Sequence, residues 1–153
     1  MALSNFLIGL PAMLLCLILQ VAVAFSCVRY YVRQTTGGPA HSGFLAGIRP
    51  LLVAMLLMTV GNFLQIALWG LLFLQLGEFG ELYEAIYHSA VNFTSLGYGD
   101  VVMSKERKLL GPLEALNGVL MLGMTAAALM AILQHLIKTL ARAKQPDRDD
   151  HRG

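Results

Sequence analysis

A run of seven residues between two long apolar stretches has the types and order suited to holding a dehydrated cation: Thr94, Ser95, Leu96, Gly97, Tyr98, Gly99 and Asp100. Selective cation pores replace the hydration shell of the ion with main-chain carbonyl oxygens. Turning successive carbonyls to one side requires backbone conformations that glycine adopts at little cost. Gly97 and Gly99 provide that freedom, and Tyr98 between them would anchor the strand sideways. With the negative charge of Asp100 at its mouth, the run is typical of an ion-selectivity filter.

The overall composition indicates a membrane protein. Of the 153 residues, 57% are hydrophobic and 13% are charged, and the mean hydropathy is +0.66. Soluble domains average about 25% charged residues. The net charge of +2 is too small to indicate nucleic-acid binding. We therefore expect membrane lipids, and no nucleic acid, among the partners.

The sequence shows no motif typical of enzymatic catalysis or of binding an organic cofactor. Metal-ligand spacings, glycine-rich phosphate loops and nucleophile–base arrangements do not stand out in the chain. Cys16 and Cys27 would lie roughly 16 Å apart on one helix, at about 1.5 Å rise per residue, so they cannot form a disulfide with each other. We expect them to be buried free thiols, and we expect no enzyme and no cofactor.

Three apolar runs exceed the roughly 20 residues that a helix needs to cross a bilayer: Phe6 to Val28, about Pro50 to Leu76, and Leu109 to about Ile137. Glu81 to Phe93 is amphipathic, too short to span, and ends directly in the filter run. It fits a re-entrant helix, which is permitted where protein or a water-filled cavity surrounds it. The predicted fold class is all-α transmembrane, with three spanning helices and a re-entrant pore helix.

The distribution of basic residues predicts the orientation. If the filter faces outward, the basic residues on the inner side are Arg29, Arg33, Arg49, Lys138, Arg142, Lys144, Arg148 and Arg152, against Lys105, Arg107 and Lys108 outside. We expect a multi-pass protein of the plasma membrane, suited to a bacterial inner membrane, with a cytoplasmic C-terminus. A cleaved signal peptide is the competing interpretation of the first run. That run has no basic n-region and exceeds the usual apolar length of about 7–15 residues.

The segment from Ala85 to Asp100 resembles the pore helix and filter of the potassium channel family. Gly118 and Gly123, followed by Thr125-Ala126-Ala127-Ala128-Leu129, are similar to the inner helix of small bacterial members with one pore domain per chain. The resemblance implies the following division of the chain: an extra N-terminal helix (1–33), a cytoplasmic linker (34–49), a pore domain (50–140) and a cytoplasmic tail (141–153). A second filter and a helix with arginine at every third position are absent, which excludes a two-filter chain and a voltage sensor.

The resemblance also implies that potassium ions bind to the carbonyls of Ser95, Leu96, Gly97 and Tyr98, within a filter of residues 94–100. The family usually has threonine at the position of Ser95 and valine or isoleucine at that of Leu96. Serine lacks the methyl group that fixes a threonine rotamer, and leucine is not β-branched. A weakly selective monovalent cation channel is therefore the alternative to a potassium-selective one.

Three polar residues of the predicted pore helix, Tyr87, His88 and Asn92, are expected to support the filter from behind. We expect His88 or Asn92 to bond to Tyr98 or Asp100. The alternative is a satisfied buried hydrogen bond without a role in gating.

Glu114 is the only acid within an apolar run, and an intramembrane carboxylate is a functional candidate by default. We expect it near the outer interface, where it would pair with Arg107 or Lys108 or accept hydrogen bonds behind the filter.

Gly118 is the expected gating hinge, with Gly123 second; the alternative is that both permit close helix packing. One filter strand cannot surround an ion, whereas four copies around an axis can. We therefore expect a homotetramer, in which three identical subunits complete the site. A non-conducting membrane scaffold of the same shape is the competing class of function.

Overall fold

The computed structural model describes residues 2–35 and 44–143, which form four helices. In chain order they are α1 (Ala2–Thr35), α2 (Phe44–Gln75), α3 (Leu82–Phe93) and α4 (Leu110–Ala143). Three of them contain segments long and apolar enough to cross a membrane: Ala2–Gln34, Ile48–Gln75 and Leu110–Lys138. The described residues include no strand. The predicted all-helical class, with three spanning helices and one short helix, is confirmed.

The long helices extend past the apolar runs that predicted them. α2 begins at Phe44, inside the predicted linker, so that Pro50 lies within the helix rather than at its start. The sequence placed the start near Pro50 because the continuous apolar run begins there. Helices at a membrane continue beyond the apolar window because each further turn pairs backbone groups internally. The rest of the predicted linker (36–43) and of the tail (144–153) lies outside the described residues.

The pore helix α3 is held between α2 and α4, and α1 packs on the other side of the same two helices. A side chain on Gly70 would lie 3.0 Å from the Ile86 Cα, so glycine allows α3 to approach α2 closely. Trp69, Phe73 and Leu110 are fully buried where the C-terminal part of α2 meets the start of α4. This packing fixes the position of α3, and therefore of the segment that follows it.

Both cysteines lie in α1 and are buried free thiols, as predicted. The Cys27 thiol lies 3.7 Å from the Ala54 carbonyl of α2. In each candidate span, about a quarter of the most apolar window is buried within the chain, and the remaining residues are half-buried or exposed. Such surfaces suit contact with lipid or with further copies of the chain.

Candidate functional site

The residues directly after α3 alternate in backbone handedness. Ser95, Gly97 and Gly99 have φ angles of 59°, 61° and 73°, while Leu96 and Tyr98 between them do not have positive φ. Alternating the handedness of successive residues directs like backbone groups to the same side of a chain. Positive φ at every second residue is compatible with the row of carbonyl ligands that a cation filter needs. Ser95 adopts this conformation without being glycine, a form of local strain typical of functional sites.

All seven residues of the run 94–100 are exposed within the single chain. Leu96 is 57% exposed and Tyr98 is 67% exposed. A Cβ added to Gly97 or Gly99 would meet nothing within 4 Å, so the positive φ, and not lack of space, is what calls for glycine. The filter segment thus presents one open side that this chain does not cover.

The mouth of the segment is fixed by a hydrogen bond from the pore helix. The Tyr87 hydroxyl donates to Asp100 Oδ2 at 2.6 Å, and the Val101 amide donates to Asp100 Oδ1 at 3.1 Å. The bond with Asp100 raises the pKa of the Tyr87 phenol, and the same bond lowers the pKa of the Asp100 carboxyl. The raised pKa favours the neutral phenol as a donor, and the lowered pKa favours a carboxylate as its acceptor. Of the predicted support residues, Tyr87 is therefore the one that contacts Asp100.

Replacing Tyr87 by phenylalanine is expected to make the mouth more sensitive to acid. The pKa of Asp100 is lower in the folded protein than its usual value of 3.8, so its carboxylate stabilises the folded segment fully above pH 3.8. This stabilisation is lost as the pH falls through the lower pKa of the folded state. Without the phenol, the loss should begin at higher pH, closer to 3.8. The measurement is cation flux through reconstituted protein from neutral pH down to about pH 3.

Tyr83→Phe is the matched control, because Tyr83 lies on the same helix and is exposed. Protonation of His88 contributes to the acid profile of every variant, so only the difference between Tyr87→Phe and the control is informative. Identical acid profiles for both variants would contradict the assigned role of the bond.

A buried polar network lies behind the mouth and joins α3 to α4. His88 Nδ1 lies 2.9 Å from the Val101 carbonyl oxygen and donates to it, since a carbonyl can only accept. His88 Nε2 then accepts a hydrogen bond from Asn92 Nδ2 at 2.8 Å. Asn92 Nδ2 also donates its second hydrogen to Glu114 Oε2 at 3.2 Å. Burial lowers the pKa of His88, which favours this neutral form. The structure thus brings together His88, Asn92 and Glu114, three of the four predicted support residues.

Ser89 is a further member of this network that the sequence analysis did not single out. Its hydroxyl lies 2.7 Å from the Ile66 carbonyl of α2 and is also hydrogen-bonded to Glu114 Oε1. Ser89 and Glu114 are both completely buried. The spacing of three residues between Ser89 and Asn92 places both on one helix face, and this signal could have identified it.

Two of the expected contacts are not formed within the chain. His88 and Asn92 do not bond to Tyr98 or Asp100, because the ring of His88 lies at the level of Val101, beyond the filter run. Glu114 has neither Arg107 nor Lys108 as its partner. Arg107 instead pairs with Glu78, with Nε 3.7 Å from Oε1, and also donates to the Leu76 carbonyl.

The two glycines of α4 have different surroundings. A Cβ on Gly118 would overlap the carbonyl oxygen of Phe93, the last residue of α3, and would lie 2.7 Å from its carbonyl carbon. A Cβ on Gly123 would meet nothing within 4 Å. α4 is one continuous helix through both positions. Gly118 is thus a point of close helix contact, while the hinge roles of Gly118 and Gly123 stay predictions.

The fold and site define a class of protein: a bundle of three helices long and apolar enough to cross a membrane, in which a short helix leads into a segment of alternating handedness at one end of the bundle. Residues 64–135 match the model of a family described as ion channel. The match begins within α2, includes α3 and the filter segment, and ends within α4. No curated protein and no solved structure matches the chain significantly. The resemblance to small pore-loop channels is therefore confirmed over these residues, and the match supports an ion-channel function.

Proposed function

We propose that the protein is a potassium-selective channel that conducts passively through a filter built by four copies of the chain. The observation that carries the proposal is the alternation of positive φ at Ser95, Gly97 and Gly99. Carbonyls aligned in this way can replace the water around a potassium ion. The ion is the cargo, and no other cofactor is needed.

Each part of the site has a separate task in conduction. Asp100, kept ionised by Tyr87, attracts cations to the outer mouth. The carbonyls of residues 95–98 then exchange with water ligands, so that a partly dehydrated ion passes from site to site. The C-terminal end of α3, at Phe93, carries the partial negative charge of the helix dipole and favours a cation near the inner end of the filter.

The geometry of a single chain supports the proposal of fourfold assembly. The filter run is exposed on its own subunit, and one strand offers carbonyls from one side only. Cyclic symmetry with four copies would surround the ion and cover the open side of each strand. The oligomer is therefore part of the proposed site.

The proposed orientation places the filter outside and the C-terminus in the cytoplasm of the plasma membrane. The end of α1 and the start of α2 carry exposed basic residues at the side opposite the filter: Arg29, Arg33 and Arg49. Lys138, near the end of α4, is exposed at the same side. An excess of basic residues is typical of the cytoplasmic side.

A weakly selective monovalent cation channel is the second candidate, favoured by the residue at the start of the filter. Ser95 holds a left-handed conformation with φ of 59° and lacks the methyl group that would fix its side chain. A looser innermost site would discriminate less between potassium and sodium. Reversal potentials with potassium on one side and sodium on the other separate the two candidates.

The test of the proposed function is potassium flux from liposomes that contain the purified protein, with sodium flux measured in parallel. We expect potassium flux to exceed sodium flux. Gly97→Ala should abolish it, because a left-handed conformation costs an L-residue about 1–2 kcal/mol and distorts the row of carbonyls. Gly80→Ala is the matched control, since Gly80 precedes α3, has no positive φ and has open space around it.

The outcomes separate the candidates. Equal potassium and sodium fluxes that are lost in Gly97→Ala would favour the weakly selective channel. A flux that persists unchanged in Gly97→Ala would overturn the assignment of the filter. Absence of flux across the full range of voltage and pH would overturn the channel proposal in favour of a scaffold.

A further inference from the structure

Polar contacts join α1 to α4 along the whole length of the bundle. At the outer end, Asn5 Nδ2 donates to the Glu106 carbonyl at 2.9 Å, just before α4 begins. At the opposite end, the Tyr31 hydroxyl lies 3.1 Å from His135 Nδ1. Between them, Gln20 contacts α4 directly. α1 lies outside the segment that matches the channel family, yet it is attached to the helix that would line the pore.

The central contact is a cluster of polar side chains in the middle of three apolar helices, here called the Gln20 cluster: Gln20, Asn62, Gln65 and Thr125. Gln20 Nε2 donates to the Thr125 hydroxyl at 2.8 Å and to the Met121 carbonyl at 3.2 Å. Gln65 Nε2 donates to Gln20 Oε1 at 2.7 Å, and Asn62 Nδ2 donates to the Thr125 hydroxyl at 3.2 Å. Gln20 and Gln65 are completely buried.

These bonds resist movement of α4 because no water competes for their groups at this depth. A polar group that loses its partner in the hydrocarbon region finds no replacement, so separation of the helices is costly. The hydrogen bonds of Gln20 span one turn of α4, from Met121 to Thr125. They therefore restrain both the rotation and the axial position of α4 at this level.

A direct packing contact leads from the restrained turn to the filter. The Met121 side chain is buried against Phe93, the last residue of α3, together with Ile66 of α2. Thr94, the first residue of the filter run, follows Phe93 directly. The backbone of Phe93 also contacts Gly118, one turn before Met121. Movement of α4 at Met121 would thus displace the residue that precedes the filter.

We infer that Gln20 is a positioning residue for ion selectivity, which holds α4 against the end of the pore helix through Met121 and Thr125. The inference rests on the proposed channel function. It gives α1 a task in the channel itself: the helix sets the position of the element that supports the filter. Gln20 touches neither the ion nor the filter, and its effect passes through α4.

The test compares the ratio of potassium to sodium flux in liposomes for the wild type, Gln20→Leu, Thr125→Val and the double variant. Leucine is close to glutamine in size and favours membrane insertion, so Gln20→Leu keeps the span intact. Thr125→Val removes the hydroxyl with little change in shape and is the milder variant if Gln20→Leu does not fold. Gln34→Leu is the matched control, because Gln34 lies on the same helix and is exposed.

We expect Gln20→Leu and Thr125→Val each to lower the flux ratio by about threefold to tenfold, as for other residues that act through packed networks. The effect of the double variant should fall short of the product of the two single effects, since both changes break the bond between Gln20 and Thr125. Gln34→Leu should keep the wild-type ratio. A flux ratio does not depend on the amount of folded protein, so a purely structural role of Gln20 would leave it unchanged.

Three results would overturn the inference. The first is a flux ratio that stays at the wild-type value in both single variants while the wild type is selective. This result would leave the channel proposal intact. The second is a double variant whose effect is the product of the two single effects. The third is a wild type without selective flux, which overturns the potassium-channel proposal and this inference with it.

Discussion

Gly118→Ala is expected to abolish potassium flux and to lower the thermal stability of the protein in detergent. The new methyl group would overlap the Phe93 carbonyl oxygen and lie 2.8 Å from the Phe93 Cα. These are backbone atoms at the end of a helix, so they cannot rotate away as a side chain would. Overpacking of a well-packed interior costs about 1–3 kcal/mol and sometimes more. α4 would have to move away from α3, which displaces the residue that precedes the filter.

Gly123→Ala is the matched control for the stability measurement, since its methyl group would meet nothing within the chain. Alanine is favoured over glycine inside a helix by about 1 kcal/mol, so this variant should be at least as stable as the wild type. Wild-type stability of Gly118→Ala would contradict the packing account. If, in addition, its potassium flux changed, Gly118 would act as a hinge, as the sequence alone suggested.

Glu114→Leu is expected to lower both thermal stability and the potassium-to-sodium flux ratio. The carboxyl group of the completely buried Glu114 bonds to Ser89 and Asn92 of α3. Leucine fills similar space but leaves one amide hydrogen of Asn92 without a partner. A buried group that loses its hydrogen bond costs about 1–3 kcal/mol. Because Asn92 also holds His88, which in turn bonds to Val101 beyond the filter, the loss should reach the mouth.

Glu114→Gln separates hydrogen bonding from charge. The amide oxygen of glutamine can accept from Asn92, while its nitrogen can donate to the Ser89 oxygen, which leaves the Ser89 hydroxyl free to bond to Ile66. We expect this variant to keep nearly wild-type stability and selectivity. If Glu114→Gln were as damaging as Glu114→Leu, a negative charge would be the required feature. A leucine variant with wild-type stability and flux ratio would show that the network has no supporting role.

The helical architecture follows largely from the sequence, because its signals are local. A run of apolar residues longer than the bilayer is thick has few alternatives to a spanning helix, since only helices and closed barrels pair their backbone groups there. The amphipathic segment before the filter run was predicted at Glu81 to Phe93 and is observed as Leu82–Phe93, with Glu81 as its N-cap. Helix ends were less accurate, as at Phe44 and Ala143, because helices extend beyond the hydrocarbon region.

The filter run could be located from the sequence for a similar reason. Gly97 and Gly99 are the residue type that a positive φ favours, and both have it in the structure. The positive φ of Ser95 could not be predicted in this way, because serine has no intrinsic preference for that conformation. It depends on the end of α3, where the Ser95 amide donates to the Asn92 carbonyl at 2.8 Å.

The partners of the polar side chains were decided by tertiary structure alone. The sequence shows that Glu114 and Gln20 lie in apolar runs and must find partners, but the rotation of each helix about its axis determines which partners they reach. That rotation is set by close contacts between helices, such as Gly118 on Phe93 and Gly70 on Ile86. Types and spacing of residues thus determined the helices and the glycines of the run 94–100, whereas packing decided which polar side chains lie behind that run and which of them connect α1 to α4.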